Sequence, residues 1–220
     1  MIYLVTKVKA LFKSSKYECI SIEKSKEIIN SMGKIRGLDT ETRGLNPHTK
    51  ALLTVQIGTK ENQVVIDCTT INIWEYKNLL EDSNILYILA NAKFDIQFFF
   101  KHNIILSKVW DVMLAEKIRY LGYPKGSFHA DLKTLEYKYL NKYMDKTVRG
   151  KITKVGLTEE VIVYAANDVV DLEDLMNAQI KALEKEDLVK AVQLENRFVI
   201  PLAYMEWCGV KLDVIKWKAK

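Results

Sequence analysis

Asp39 and Glu41 stand two residues apart where an apolar stretch, Ile35-Arg36-Gly37-Leu38, runs into the turn at Arg43-Gly44. On a strand, residues i and i+2 face the same side, so both carboxylates enter one space, roughly 7 Å apart along the strand. Like charges held side by side repel, and a divalent cation between them removes the repulsion. Carboxylate oxygens are the hard ligands that Mg²⁺ and Mn²⁺ take. Two further acids come with similar context. Asp95 follows the apolar run Ile85 to Ala90, with Asn91 as a helix N-cap, which puts it in the first turn after a strand end. Asp168 closes Tyr164-Ala165-Ala166-Asn167-Asp168, in a helix opened by Thr158 with Glu159 and Glu160 behind it. That helix is apolar nearly all round from Val161 to Val170, so Asp168 is expected to be buried, and a buried acid is costly without a partner. Tyr164 lies one helical turn earlier on the same face. Singly, these residues read as a solvated strand end, a first-turn acid and an ion-paired helix acid. As an ordered set they point to metal-assisted chemistry on phosphate.

The elements that must position them run strands first, helices later. Strands are expected over 19–22, 34–41, 51–57, 63–67 and 85–90. Helices are expected over 23–32, 73–80, 93–102, 110–121, 131–143, 159–183 and 187–207, the last one kinked or restarted at Pro201. Gly44 and Asn46-Pro47 mark one turn, and Gly58 with Glu61-Asn62 the next. Loops are expected over 122–126 and 147–156. Meandering strands followed by a crossover helix make an α/β fold, a mixed sheet flanked by helices with a helix-rich C-terminal half. At 220 residues the chain suffices for one full core.

Composition narrows the setting. No apolar run is long enough to span a bilayer, and Met1-Ile2-Tyr3-Leu4-Val5-Thr6-Lys7 lacks a signal-peptide layout. Cys19, Cys68 and Cys208 are odd in number and far apart, which argues for reduced thiols and a cytoplasmic location. The net charge of +5 is modest, but between Glu116 and Lys154 ten basic residues face four acids. Tyr120, Tyr123, Tyr137, Tyr139 and Tyr143 are interleaved with them. Such a stretch suits a single nucleic-acid strand, its backbone charge neutralised and its bases stacked.

The three acidic segments, Asp39-Thr40-Glu41, Asn91-Ala92-Lys93-Phe94-Asp95 and Tyr164-Ala165-Ala166-Asn167-Asp168, resemble the motifs of the DEDD superfamily of 3′–5′ exonucleases, in its tyrosine branch. Within that branch, Asp39-Thr40-Glu41-Thr42-Arg43-Gly44-Leu45 is more similar to the proofreading domain of family A DNA polymerases than to ribonuclease D. Pro201-Leu202-Ala203-Tyr204-Met205-Glu206-Trp207-Cys208-Gly209-Val210-Lys211-Leu212-Asp213 resembles the segment where those polymerases pass into their polymerase region. The resemblance divides the chain into a short lead-in (1–16, similar to phage-type members), an exonuclease domain (17–200) and the start of a polymerase-like segment (201–220).

The resemblance implies a ribonuclease H-like core and two divalent cations, Mg²⁺ or Mn²⁺. Asp39, Glu41 and Asp168 would hold one cation, Asp39 would bridge to the other, and Asp95 would support that one. Tyr164 would orient the attacking water. Leu45 matches a position that wedges between the last two bases, Thr42 and Asn91 match positions near the terminal nucleotide, and Arg149 is a candidate phosphate contact. The implied substrate is the 3′ end of single-stranded or frayed DNA, with a polymerase domain as partner in the same or another chain. The alternatives are a ribonuclease D-like RNA exonuclease and an inactive exonuclease fold that only binds single strands.

Overall fold

A computed structural model describes residues 1–124, 129–143 and 156–219. Its strands are β1 (Ile2–Val5), β2 (Tyr17–Ile20), β3 (Ile35–Thr42), β4 (Leu52–Gly58), β5 (Gln63–Asp67), β6 (Leu86–Leu89) and β7 (Val109–Asp111). They form one sheet in the order β2-β1-β5-β4-β3-β6-β7. β4 runs antiparallel to both of its neighbours, and every other pairing is parallel. The helices are α1 (Ile22–Ser31), α2 (Lys77–Leu80), α3 (Ala92–Phe100), α4 (Val112–Arg119), α5 (Leu132–Leu140), α6 (Glu159–Asn167), α7 (Leu172–Lys185), α8 (Val189–Cys208) and α9 (Val214–Lys218). The expected mixed sheet flanked by helices is the observed architecture.

Alternation along β3 and β4 divides the core. Leu38 pairs with Ile57 and Thr40 with Val55, and this face packs against Phe98 and Phe99 of α3. Each such ring, fully buried, contributes on the order of 1.5–3 kcal/mol. The opposite face carries Gly37, Asp39 and Glu41 across from Gly58, Gln56 and Thr54, and is covered by α6 and the start of α7. Helix α8 serves both layers: Val192 joins one cluster while Val199 and Ala203 join the other.

Four elements depart from the sequence expectation. Ile2–Val5, within the expected lead-in, is a strand between β2 and β5. Trp110 opens no helix; it pairs with Ile88 in β7, and the helix starts only after Asp111. The long helix expected over 159–183 is broken after Asn167 and resumes at Leu172. Pro201 does not restart the helix: α8 runs from Val189 to Cys208 with Pro201 inside it. Pro201 is exposed, so the Arg197 carbonyl that loses its intrahelical donor is open to water.

Candidate active site

Strand β3 delivers the first two acids. Asp39 and Glu41 are half-buried, while Leu38 and Thr40 between and beside them point into the core. The ladder to β4 slips between Glu41 and Thr42, so Thr42 pairs with Leu52 and Leu53 becomes the extra residue. Leu53 therefore joins the face of Glu41, where it packs against Val161 of α6 and against Tyr164. This slip places the tyrosine ring beside the acids.

Asp168 arrives by a close helix approach. Gly37 and Gly58 are paired across β3 and β4, and together they leave a hollow for Val169. A Cβ on Gly37 would stand 2.5 Å from the Val169 carbonyl oxygen, and one on Gly58 would stand 2.8 Å from Val169 Cγ2. Only glycine lets the backbone come so near. The break after Asn167 turns Val169 into that hollow, and its neighbour Asp168 is buried beside β3. Oxygens of Asp39, Glu41 and Asp168 then lie within 4.8 Å of one another.

Asp95, buried on the first turns of α3, accepts a 2.5 Å hydrogen bond from the Thr40 hydroxyl. Burial pushes its carboxyl well above the usual carboxylate range, and the charges of Asp39 and Asp111 push the same way, against the Thr40 bond. Asn91 occupies the N-cap position of α3 but makes no side-chain cap, and its φ is +71°. The expected capping role belongs to Asp111 instead. Its Oδ1 accepts from Asn91 N (3.1 Å), Met113 N (2.9 Å) and Leu114 N (3.1 Å), and its Oδ2 accepts from Ala92 N (2.9 Å). Asn196 Oδ1 of α8 in turn accepts from Asp111 N at 2.6 Å. Residue spacing gave no sign of the hold that Asp111 has on α3, because Asn91 and Ala92 lie far from it in the chain.

All these acids except Asp111 line one cleft of about 330 Å³, together with Tyr164, Thr42, Leu45 and Asn91. The Thr42 hydroxyl donates to the Gly44 carbonyl at 2.9 Å, and Leu45 stands 83% exposed at the rim. Phe94, Met113, Asp131 and Leu132 complete the wall, none of them singled out by the sequence. Arg149 lies outside the described residues.

The basic, tyrosine-rich stretch is partly committed to the protein itself. Lys138 pairs with the buried Glu116 at 2.5 Å, Tyr139 donates to the same carboxylate at 2.6 Å, Arg119 pairs with Glu186, and Lys142 with Asp171. These contacts fasten α5 to α4 and α7. Tyr137 and Tyr143 remain exposed, their rings 4.7 Å apart.

The donor set suits hard divalent cations: three carboxylates converge with their oxygens close enough for a shared ion, and a fourth is buried next to them. A cation there would offset the charge that burial makes costly on Asp95.

Comparison with known proteins agrees with this geometry. Residues 18–184 match the family model described as 3′–5′ exonuclease. The chain is 30% identical over 197 residues to DNA polymerase I of Aquifex aeolicus, covering 80% of this chain but only 32% of that protein, so it spans about a third of its relative's length. Among solved structures, Brucella melitensis NrnC is similar with a TM-score of 0.72 at 21% identity, over 97% of this chain and 96% of that one. Escherichia coli RNase D, described as an exoribonuclease involved in structured RNA processing, is similar with a TM-score of 0.70 at 21% identity, over 94% of this chain and 51% of that one. The DEDD exonucleases work with two divalent cations, for which the clustered carboxylates are fitting ligands. The chain belongs to the 3′–5′ exonuclease family, in the DEDD superfamily, and carries its ribonuclease H-like fold.

Proposed function

We propose that this domain trims DNA from its 3′ end, taking single strands and frayed termini as a proofreading exonuclease does. The observation that carries the reading is the convergence of Asp39, Glu41 and Asp168 within 4.8 Å, in a cleft that also holds Asp95 and Tyr164. Identity to a DNA polymerase over four-fifths of the chain favours DNA. Residues 201–220 would then lead toward a polymerase region, in the same or another chain. The free thiols accord with a cytoplasmic setting.

Asp39, Glu41 and Asp168 would hold one cation, with Asp39 shared by the second and Asp95 supporting that one. When bound, such a pair activates water and stabilises charge on the leaving oxygen. The protein's own part is positioning. Thr40 fixes the Asp95 carboxylate, Asp111 locks the start of α3 on which Asp95 rides, and Leu53 with Val161 seats the Tyr164 ring so that its hydroxyl can orient the attacking water. Leu45, an exposed apolar side chain at the rim, would wedge between the last two bases, with Thr42 and Asn91 near the terminal nucleotide. Arg149 would contact phosphate. Unpairing a duplex end costs a few kcal/mol, so single strands and frayed ends should be preferred.

Labelled single-stranded DNA should be shortened from its 3′ end to nucleoside monophosphates with Mg²⁺ or Mn²⁺, and not in EDTA. Asp39→Ala should cost more than about a hundredfold, beyond the range for outer partners of a metal site. Hydrolysis that persists in EDTA, or an active Asp39→Ala enzyme, would remove the metal assignment. The second reading, an RNA exonuclease, is favoured by the likeness to RNase D. Parallel assays on DNA and RNA of one sequence decide it.

A further inference from the structure

Gln56 is fully buried in β4, and its Oε1 has no hydrogen-bond partner. Its Nε2 lies 2.6 Å from Thr54 Oγ1. An unpaired amide oxygen in a core is expensive and calls for an explanation. Oxygen and nitrogen of a carboxamide exchange places by a half-turn of the terminal bond, and the surrounding hydrogen bonds decide between them. After that half-turn the Thr54 hydroxyl donates to Oε1, and the Nε2 hydrogens face the space that the oxygen held. The strand register says what lies there. Gln56 pairs with Asp39 of β3 on one side and Val65 of β5 on the other, with Thr54 and Gly58 flanking it on its own strand. Directly opposed side chains in an antiparallel pair have Cβ atoms about 4.5–5.5 Å apart. Of these neighbours, Asp39 is the one that brings a carboxylate.

We propose that Gln56 is a positioning residue whose carboxamide, anchored by Thr54, donates a hydrogen bond to Asp39 and fixes how that carboxylate meets the cations. The inference rests on the metal reading above. Asp39, Glu41 and Asp168 crowd within 4.8 Å, and their repulsion favours any rotamer that turns Asp39 away. A lysine or arginine beside it would settle the repulsion by taking the cations' place. A neutral amide holds Asp39 and leaves the negative field for the cations, as outer partners of metal ligands do. It also gives a reason for a glutamine on a strand whose neighbouring core positions are Val55, Ile57 and Val65.

Mn²⁺ binding without nucleic acid, followed by paramagnetic resonance or calorimetry, tests this on the intact chain and on Gln56→Met. Methionine keeps the length and loses the donor. The variant should melt within a few degrees of the parent, bind Mn²⁺ about tenfold more weakly, and need correspondingly more Mn²⁺ for half-maximal hydrolysis. Its rate at saturating Mn²⁺ should return toward that of the parent. A parent that binds no Mn²⁺ overturns the metal reading, and this inference with it. A parent that binds, beside a Gln56→Met protein that binds equally well, overturns the role of Gln56 alone. If Gln56→Met does not fold, Thr54→Val decides. Loss of the anchoring hydroxyl should weaken Mn²⁺ binding several-fold, and unchanged affinity overturns the proposal.

Discussion

The Asp111 carboxylate accepts from four backbone N–H groups at the starts of α3 and α4, and so ties the helix that carries Asp95 to the edge strand β7. Each cap of this kind is worth about 1 kcal/mol, so Asp111→Ala should destabilise the fold by about 2–4 kcal/mol, with Asp111→Asn, which keeps one acceptor oxygen, recovering part of it. Urea unfolding of the two variants checks this, and equal stability of alanine and parent would deny the capping role. Tyr164 separates chemistry from packing in the opposite way. Its ring rests on Leu53 and Val161, so Tyr164→Phe keeps the packing and loses only the hydroxyl. If that hydroxyl orients the attacking water, single-turnover hydrolysis should slow about 10- to 1000-fold, or ~1.4–4 kcal/mol of barrier, with strand binding nearly unchanged. A folded Tyr164→Phe protein that turns over normally would take Tyr164 out of the mechanism.

Between elements, the decisive contact is Val169 against β3 and β4. Gly37→Ala would press a Cβ against the Val169 backbone oxygen at 2.5 Å, whereas Gly58→Ala meets the Val169 side chain at 2.8 Å and, less closely, Asn62 O and Gln63 Cγ at 3.1 Å. Overpacking of this sort costs about 1–3 kcal/mol, and the backbone clash should sit at the top of that range. It should also displace Asp168 and lower activity more than stability alone explains. Val169→Ala should relieve the closest contact of Gly58→Ala, and so recover part of its loss, while leaving Gly37→Ala impaired, a contrast that melting curves and rates on the double variants measure. This contact also shows what the sequence could and could not reveal. Asp39 and Glu41 were legible because a strand's period of two is local, and Tyr164 with Asp168 because a helical turn is local. The break after Asn167 was not, since no glycine or proline marks it and its cause is a hollow on two distant strands. Gly37 and Gly58 read as turn or strand punctuation until their shared partner is seen. Asp111 was hidden for the same reason, its carboxylate serving Asn91 and Ala92 across the sheet. The helix expected from Trp110 had the right periodicity, but pairing with Ile88 claimed its first residues for β7.

At the scale of the whole molecule, α8 links the far end of the chain to the cleft. Asn196 holds Asp111, Glu206 accepts from Lys93 at 2.7 Å and Gln97 at 2.9 Å on α3, and Trp207 stacks on His48 with ring centroids 4.0 Å apart and planes 22° from parallel. His48 belongs to the loop between β3 and β4 that presents Leu45. That loop is closed at its base by Arg43 N to Ala51 O at 2.8 Å, and braced by Lys101 Nζ to Lys50 O at 2.8 Å. Trp207 therefore braces the loop that carries the exposed Leu45 side chain at the rim of the cleft. Beyond it, Val210, Ile215 and Trp217 are 95%, 83% and 69% exposed, so whatever contacts that end is joined to the Leu45 loop through one ring stack. A stacked aromatic pair is worth about 0.5–1.5 kcal/mol. Trp207→Ala should accordingly weaken binding of a single-stranded 3′ end by about 2- to 12-fold, while the turnover of saturated enzyme changes little. Leu45→Ala should have a similar effect. If Trp207 works by holding Leu45 in place, the double variant should bind no worse than Leu45→Ala alone, because a wedge already removed has nothing left to lose. Fluorescence titrations of a labelled strand against the four proteins, in EDTA to prevent cleavage, measure the coupling. Strictly additive losses would mean that Trp207 touches the strand itself or stabilises something other than the loop, and unchanged binding in Trp207→Ala would free the loop from α8 altogether.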